Sequence, residues 1–159
     1  MNGLGLVENG GRITDFTYDS KHHVVYASSA GGGLYKSKDY GAHWTSIGDT
    51  LPTLLVGSVG YSPANGGTLV VVTGDGSFGA SSLEGAGVYR STNLGRTWTK
   101  AKGAPSDAFG FRVAVDPSNP KVVYAATRAG LYRSADAGAS FSNVKLPTGP
   151  CAGKSNRVK

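Results

Sequence analysis

A thirteen-residue pattern that occurs three times is the feature that most limits how this chain can fold. It spans residues 33–45, 87–99 and 130–142. Each copy runs glycine, apolar, tyrosine, basic, serine, any residue, aspartate or asparagine, any residue, glycine, any residue, polar, aromatic, hydroxyl. Two short strands on either side of a tight turn fit this order, so each copy predicts a β-hairpin.

The middle of the pattern supplies residues that close a turn. An aspartate or asparagine side chain can bond its own backbone two residues on, and glycine adopts a positive φ at little cost. The serine hydroxyl can bond within the same loop, and the aromatic side chain folds back as an apolar anchor. We therefore assign a structural role to the residues at these four positions, which are Ser37, Asp39, Gly41, Trp44, Ser91, Asn93, Gly95, Trp98, Ser134, Asp136, Gly138 and Phe141.

The spacing of the three copies indicates a repeat architecture. Their serines stand 54 and 43 residues apart, and repeats of roughly 40–50 residues are typical of four-stranded β-propeller blades. Two further strand patterns precede each hairpin. The sequence thus predicts an all-β fold of three four-stranded antiparallel blades, at about residues 12–49, 55–103 and 110–147.

The segments outside the repeats lack a strand pattern. Residues 1–11 read as a leader, and residues 148–159 read as a basic tail that we expect to be disordered. No signal peptide is visible, and no apolar run reaches the roughly 18 residues that span a bilayer. The net charge of +6 is dispersed and accompanies no nucleic-acid-binding module. We therefore expect neither a membrane nor a nucleic-acid partner.

The cysteine count bears on metal binding. One cysteine and three histidines leave too few ligands for a Cys/His metal site. No run of alternating carboxylates accompanies any of the three turns, which argues against calcium. We therefore predict no metal and no cofactor.

The three hairpins resemble the Asp-box, Ser-x-Asp-x-Gly-x-Thr-Trp, of the sialidase-like (BNR) repeat family. The second copy departs from it at Asn93, and the third departs at Ser140 and Phe141. The family is built as β-propellers and includes sialidases, xyloglucan-degrading glycoside hydrolases and sortilin-type receptors. The resemblance, which extends over residues 11–147, implies an outer-rim structural role for each Asp-box. It also implies an extracellular or periplasmic location.

The number of blades is too small for a closed ring. Propellers usually have about four to eight blades, and a three-blade array would expose apolar faces of the kind that mark association sites. Three alternatives follow. The chain is a piece of a larger propeller, or it pairs with a second copy to form a six-blade ring, or it docks on another subunit that supplies further blades.

The candidate site lies on the loops after the second strand of each blade, because the resemblance places ligands near the central axis. The longest of these loops, residues 74–86, carries Asp75 and Glu84. Paired carboxylates can act as acid and base in glycoside cleavage. In the xyloglucan-degrading relatives an aspartate follows the second strand of a blade, and Asp75 holds the matching place. The matching places in the other blades are near Ala30 and Arg128, so no second aspartate matches.

Two arginines, Arg112 and Arg128, are further candidates for ligand binding, because sialidases grip a substrate carboxylate with arginines. Their spacing gives no recognisable sialidase set. The sequence therefore favours a non-catalytic binding or scaffold module that presents loops to a glycan or a protein. The alternative is a fragment of a secreted glycoside hydrolase, xyloglucanase-like or sialidase-like, with an incomplete active site. Whether the chain is an enzyme stays open at this point.

Overall fold

Three antiparallel sheets make up the protein, whose computed structural model describes residues 12–76, 85–106 and 109–147. The first sheet contains β1 (Arg12–Asp19), β2 (Val24–Ala30), β3 (Gly33–Ser37) and β4 (Thr45–Ser46). The second contains β5 (Val56–Ser62), β6 (Thr68–Thr73), β7 (Val88–Ser91) and β8 (Thr99–Lys100). The third contains β9 (Gly110–Val115), β10 (Val123–Thr127), β11 (Gly130–Ser134) and β12 (Ser142–Asn143).

The strands of each sheet lie side by side in chain order, and all neighbouring strands are antiparallel. The predicted all-β fold with three four-stranded antiparallel sheets is confirmed. The one helical element in the described ranges is a single 3-10 turn at Ala64–Gly66. No helix in these ranges is long and apolar enough to cross a membrane. The predicted leader and tail lie outside the described residues.

Apolar rows hold the sheets together. On one side of each sheet the strand pairing aligns three residues, and we call this side the leading face. The three rows are Phe16–Ala27–Tyr35, Val59–Val71–Tyr89 and Val113–Ala125–Tyr132. The second row packs on the first sheet and the third row packs on the second sheet, in two separate apolar clusters. The second and third sheets therefore each pack their leading face against the opposite, trailing face of the sheet before.

The sixth strand, β6, is apolar on both faces because its sheet lies between the other two. All of its residues, including the run Leu69–Val72, are buried. Leu69 and Val71 face the first sheet, whereas Val70 and Val72 face the third. Burying one such side chain is worth about 1.5–3 kcal/mol. Its apolar side chains therefore contribute to the cores on both sides of the second sheet.

The repeated turn has the same hydrogen bonds in all three copies. The serine hydroxyl donates to the side-chain oxygen two residues on, at 2.8, 2.8 and 2.7 Å. The same hydroxyl accepts from the glycine N–H four residues on, at 2.8, 2.9 and 2.9 Å. The aspartate or asparagine oxygen then accepts the N–H of the polar residue of the pattern, at 2.9 Å in each copy. One serine and one acidic or amide side chain thus satisfy most of the backbone donors of the turn.

The residue before the turn glycine is also left-handed, which the sequence analysis did not anticipate. Tyr40, Leu94 and Ala137 have φ values of 58°, 59° and 57°, next to glycines with positive φ. A non-glycine residue in this region costs about 1 kcal/mol or more. The serine and aspartate hydrogen bonds offset this cost, because they require two successive left-handed residues.

The aromatic residues of the second and third turns contact the preceding sheet. Phe141 is buried in the cluster between the second and third sheets. Trp98 packs on the cluster between the first and second sheets, and its indole N–H donates to the Ile47 carbonyl at 3.2 Å. Trp44 belongs to the first sheet and is 45% exposed. The predicted role as an apolar anchor therefore needs a correction for Trp44, because no sheet precedes the first one within the described residues.

The acidic turns make the stability of the fold depend on pH. Burial acts to raise the pKa of Asp136, but the hydrogen bonds from Ser140 and Ser134 outweigh it and lower the pKa from 3.8 to about 2. The pKa in the folded state is therefore below that of the unfolded chain. The resulting stabilisation is complete above about pH 4 and disappears as the pH falls towards about 2. Hydrogen bonds from His43 also lower the pKa of Asp39.

We predict that Asp136→Asn reduces this acid sensitivity while it preserves the turn, because Asn93 fills the same position in the second copy. The free energy of unfolding should be measured by urea titration at several values between about pH 2 and 6. The wild-type protein should lose stability more steeply than the variant below about pH 4. Identical pH profiles for the two proteins would contradict the assignment of the shift to this turn.

Candidate functional site

One end of the three sheets gathers the loops that the sequence analysis singled out. The second strand of each sheet ends here and the first strand begins here, because Val56 pairs with Thr73 and Gly110 pairs with Thr127. The repeated turns leave from the opposite end, where Ser91 pairs with Leu69. Loop 74–86 is described at 74–76 and 85–86, and Glu84 lies outside the described residues. We call this end the Asp75 end.

The carboxylate of Asp75 forms an ion pair between two sheets. Arg12, the first residue of β1, donates to it through Nη2. The Asp75 side chain is 8% exposed, whereas that of Arg12 is 40% exposed. A cation this close favours the ionised form of a carboxylate. Arg12 was not among the predicted site residues, because nothing in its local sequence distinguishes it from other dispersed basic residues.

Glycines allow the backbones of the second and third sheets to approach at this end. A Cβ on Gly57 would lie 2.4 Å from the Gly74 carbonyl oxygen and 2.6 Å from that of Gly110. The N–H of Gly74 donates to the Leu55 carbonyl at 2.8 Å, and that of Gly76 donates to the Gly110 carbonyl at 3.4 Å. Glycine is the residue that permits such close approach. The position of Asp75 is therefore determined by backbone contacts on both sides.

An irregularity in the first strands places an aromatic ring beside Asp75. The pairing of each first strand shifts by one residue near its start, which makes Thr14, Gly57 and Phe111 the extra residues. Such bulges redirect side chains and are frequent next to functional sites. Phe111 is 46% exposed, and its ring lies so close to Gly76 that a Cβ there would be 2.4 Å from Cε1. An accessible ring thus adjoins the residue that follows Asp75.

A second polar group spans the first strands of all three sheets. The Ser58 hydroxyl donates to Asp15 Oδ2 at 2.5 Å and accepts the Val113 N–H at 2.8 Å. Arg112 approaches Asp15 Oδ1 through Nη1 at 3.6 Å. A cavity of about 270 Å³ lies along these three strands and is lined by Asp15 and Arg112. Arg112 is therefore engaged with Asp15, on the inner edge of the sheets.

Arg128 occupies a third position. The guanidinium carbon of Arg128 lies 5.2 Å from the centroid of the Phe109 ring. The backbone N–H of Arg128 donates to the Phe109 carbonyl at 3.0 Å. A cation over an aromatic face is stabilised by the ring quadrupole. Arg112 and Arg128 thus have different partners. Among the described residues no group of three or more His, Cys, Asp or Glu side chains is arranged to hold a metal ion.

Comparison with known proteins connects this fold to one class of enzyme. No protein-family model matches the sequence. The chain is 27% identical over 142 residues to the xyloglucanase Xgh74A of Acetivibrio thermocellus, covering 80% of this chain and 17% of the enzyme. It is 33% identical over 140 residues to a xyloglucanase of Paenibacillus sp, covering 79% of this chain and 14% of the enzyme.

Solved structures give the same result in three dimensions. The GH74 xyloglucanase of Xanthomonas campestris superposes with a TM-score of 0.66 at 27% identity, over 85% of this chain and 21% of that one. The chain is three blades of a β-propeller. YCF48 bound to D1 peptide superposes with a TM-score of 0.59 at 18% identity, over 86% of this chain and 42% of that one, which shows the fold alone.

The propeller blades are related to those of glycoside hydrolases, since the three enzymes named above at 27–33% identity are xyloglucanases. The chain spans 14–17% of the length of the curated relatives it matches. The relation therefore concerns a set of blades, and the activity of a whole enzyme does not follow from it.

Proposed function

We propose that the chain forms three blades of a xyloglucanase-type glycoside hydrolase and that the Asp75 end binds a xyloglucan chain. The observation that carries the proposal is the buried carboxylate of Asp75, ion-paired to Arg12, together with the accessible ring of Phe111 against the next residue, Gly76. Sugar rings have apolar faces that pack on aromatic side chains, and carboxylates perform the chemistry of glycoside cleavage. The identity to xyloglucanases supports xyloglucan as the substrate class.

The chemistry of Asp75 follows from its partner. Arg12 favours the ionised carboxylate, so Asp75 suits the role of a general base that activates water. Cleavage with inversion also needs a carboxylic acid roughly 6.5–9.5 Å away to protonate the leaving group. The strand pairing aligns Thr73 with Ser29 and Thr127, so the places equivalent to Asp75 hold Gly31 and Ala129. We infer that the acid is supplied by another blade, which the chain would meet in a larger propeller or in a partner.

A second candidate function is a non-catalytic binding or scaffold module of the Asp-box propeller type, presenting its loops to a glycan or a protein. The observation that favours it is that the places equivalent to Asp75 hold Gly31 and Ala129 and not a second aspartate. The three turns, each with serine bonded to aspartate or asparagine, support membership of the Asp-box, sialidase-like repeats. We also infer an extracellular location, because a polymeric polysaccharide such as xyloglucan is met outside the cell.

The two functions are separated by a substrate whose leaving group needs no acid. We predict that the 159-residue chain slowly hydrolyses the chloronitrophenyl β-glycoside of a xyloglucan oligosaccharide and releases chloronitrophenol. Polymeric xyloglucan should stay intact. A general base alone suffices when the leaving group is this acidic. Removal of a general base typically lowers the rate by about 10²-fold or more. Asp75→Asn should therefore lower the rate by about that factor, measured by absorbance of the released phenol.

The matched control is Asp116→Asn, which alters a half-buried aspartate in the β9–β10 turn at the opposite end of the third sheet. Its rate should equal that of the wild-type protein. Oligosaccharide binding without any release would favour the non-catalytic module. Equal release by the wild-type protein and Asp75→Asn would contradict the role given to this carboxylate.

A further inference from the structure

A basic cavity lies at the outer rim between the second and third sheets, away from the Asp75 end. It has a volume of about 220 Å³. Among the described residues its polar lining consists of three cationic side chains and three threonines, without a carboxylate; these residues are Arg90, Lys100, Lys102, Thr92, Thr97 and Thr99. Three positive charges that line one cavity repel one another. A bound anion would relieve this repulsion.

The wall of the cavity is fixed by backbone bonds. The N–H of Lys102 donates to the Ala139 carbonyl at 3.0 Å, and the N–H of Phe141 donates to the Lys102 carbonyl at 2.8 Å. These bonds join the end of the second sheet to the repeated turn of the third sheet. The side chains of the cavity therefore start from a rigid backbone, which lowers the entropy that binding would cost.

Arg90 provides an independent sign of a missing acceptor. Its Nε is buried and has no hydrogen-bond partner among the described residues. Leaving a buried donor without an acceptor costs about 1–3 kcal/mol. The guanidinium group binds the oxygens of sulfate and phosphate through two parallel N–H bonds. A small rotation of the side chain towards an anion in the cavity would supply the acceptor.

The asparagine of the second turn prepares a hydroxyl donor for the same cavity. Asn93 Oδ1 accepts from Ser91 and from the Thr97 N–H, which directs its Nδ2 to donate to Thr97 Oγ1 at 2.8 Å. The hydroxyl proton of Thr97 is then available to a ligand. In the third turn the equivalent hydroxyl proton, that of Ser140, is already used, because it is donated to Asp136 Oδ2 at 2.6 Å. The replacement of aspartate by Asn93 thus removes a negative charge and releases a donor.

The equivalent groove between the first and second sheets serves as an internal comparison. It also has a volume of about 220 Å³ and contains Lys36 and Arg96, but Asp49 lines it as well. Its turn carries the carboxylate of Asp39, whose oxygens are bonded to His43. Asp49 therefore lines the first groove directly. The described residues that line the second groove include no carboxylate, although the Asp136 carboxylate accepts the N–H of the lining residue Ala139 at 3.0 Å.

We propose that the cavity at Arg90, Lys100 and Lys102 binds a sulfate or phosphate group, either as the free ion or as an ester on a saccharide. The cavity is a separate site from the one proposed for xyloglucan. Its recognition of the anion combines the guanidinium of Arg90, the two ammonium groups and the Thr97 hydroxyl. An ester on a polysaccharide would reach this rim from the solvent side, since Lys100 and Lys102 are exposed.

The proposal is tested by titrating the 15N-labelled chain with sodium sulfate, sodium phosphate and glucose 6-sulfate at constant ionic strength, with sodium chloride and glucose as controls. We expect saturable amide shifts confined to residues around 97–102. The decisive variant is Asn93→Asp, which keeps the turn residue that the other two copies use. It should weaken binding about fivefold or more, because one charge is added beside the cavity and the Thr97 proton is engaged.

Two further variants complete the test. Lys102→Gln should weaken binding about fivefold, whereas Lys36→Gln in the first groove should leave it unchanged. Tighter binding of glucose 6-sulfate than of sulfate identifies an ester as the ligand, and the reverse order identifies the free ion. Unsaturable shifts, equal shifts with chloride, or equal affinity of Asn93→Asp and the wild-type protein would overturn the proposal.

Discussion

Replacing Gly57 with alanine is expected to lower the free energy of unfolding by about 3 kcal/mol. The added methyl group would lie 2.4 Å and 2.6 Å from the carbonyl oxygens of Gly74 and Gly110. Both obstacles are backbone atoms, which cannot move away as the end of a flexible side chain can. The bulge of β5 would have to move away from Gly74 within its own sheet and from Gly110 in the third sheet. Urea unfolding at neutral pH measures the loss.

The control for this prediction is Gly66→Ala. Gly66 has a φ of 78°, and no atom lies within 4 Å of the place that its Cβ would take, so alanine there meets backbone strain without a clash. Its expected cost is about 1 kcal/mol. The difference between the two variants isolates the effect of the close approach. If Gly57→Ala costs no more than Gly66→Ala, the proposed convergence of the two sheets at this end is wrong.

The mass of the chain in solution is expected to rise with concentration, because the leading face of the first sheet is uncovered. Phe16 is 69% exposed, whereas the equivalent residues Val59 and Val113 are buried against a preceding sheet. Burial of the equivalent row stabilises the contact between the first and second sheets and that between the second and third. Such burial contributes about 25 cal/mol for each Å² of apolar surface. We propose that a further blade covers Phe16, supplied by a second copy of the chain in dilute solution. Multi-angle light scattering at several concentrations measures the association.

Phe16→Glu should abolish this association, because it places a charge in an apolar contact. Phe111→Glu is the matched control, since Phe111 is also an exposed phenylalanine but lies at the Asp75 end and not on the leading face. A protein that stays monomeric at every concentration would rule out pairing through this face. Equal association of wild-type protein and Phe16→Glu would assign the contact to another surface.

The sheets were predictable from the sequence because their signals are local and repeated. The turn residues, the β-branched second strands and the sandwiched β6 each have a period or a composition that leads to one structure. The exposure of Trp44 was not predictable in the same way. Its copy of the pattern matches the others, and its environment differs only because no sheet precedes it among the described residues.

The candidate site was less accessible to sequence reasoning, for a physical reason. Asp75 was singled out by its place after a second strand, but its partner Arg12 belongs to another sheet and is 63 residues away in the chain. The bulge that exposes Phe111 is a register shift between two strands, and a single strand carries no signal for it. The left-handed φ of Leu94 and its counterparts likewise arises from hydrogen bonds within the complete turn.

Glycan binding at the Asp75 end is tested most directly by mapping where a xyloglucan oligosaccharide contacts the 159-residue chain. Amide chemical shifts of the 15N-labelled protein should be followed during titration with the oligosaccharide. If the glycan binds at the Asp75 end, we expect saturable shifts at residues 74–76 and at Gly110. The repeated turns of the opposite end should not change. Shifts confined to those turns, or no saturable shift at all, would contradict the proposal that this end of the blades binds the glycan.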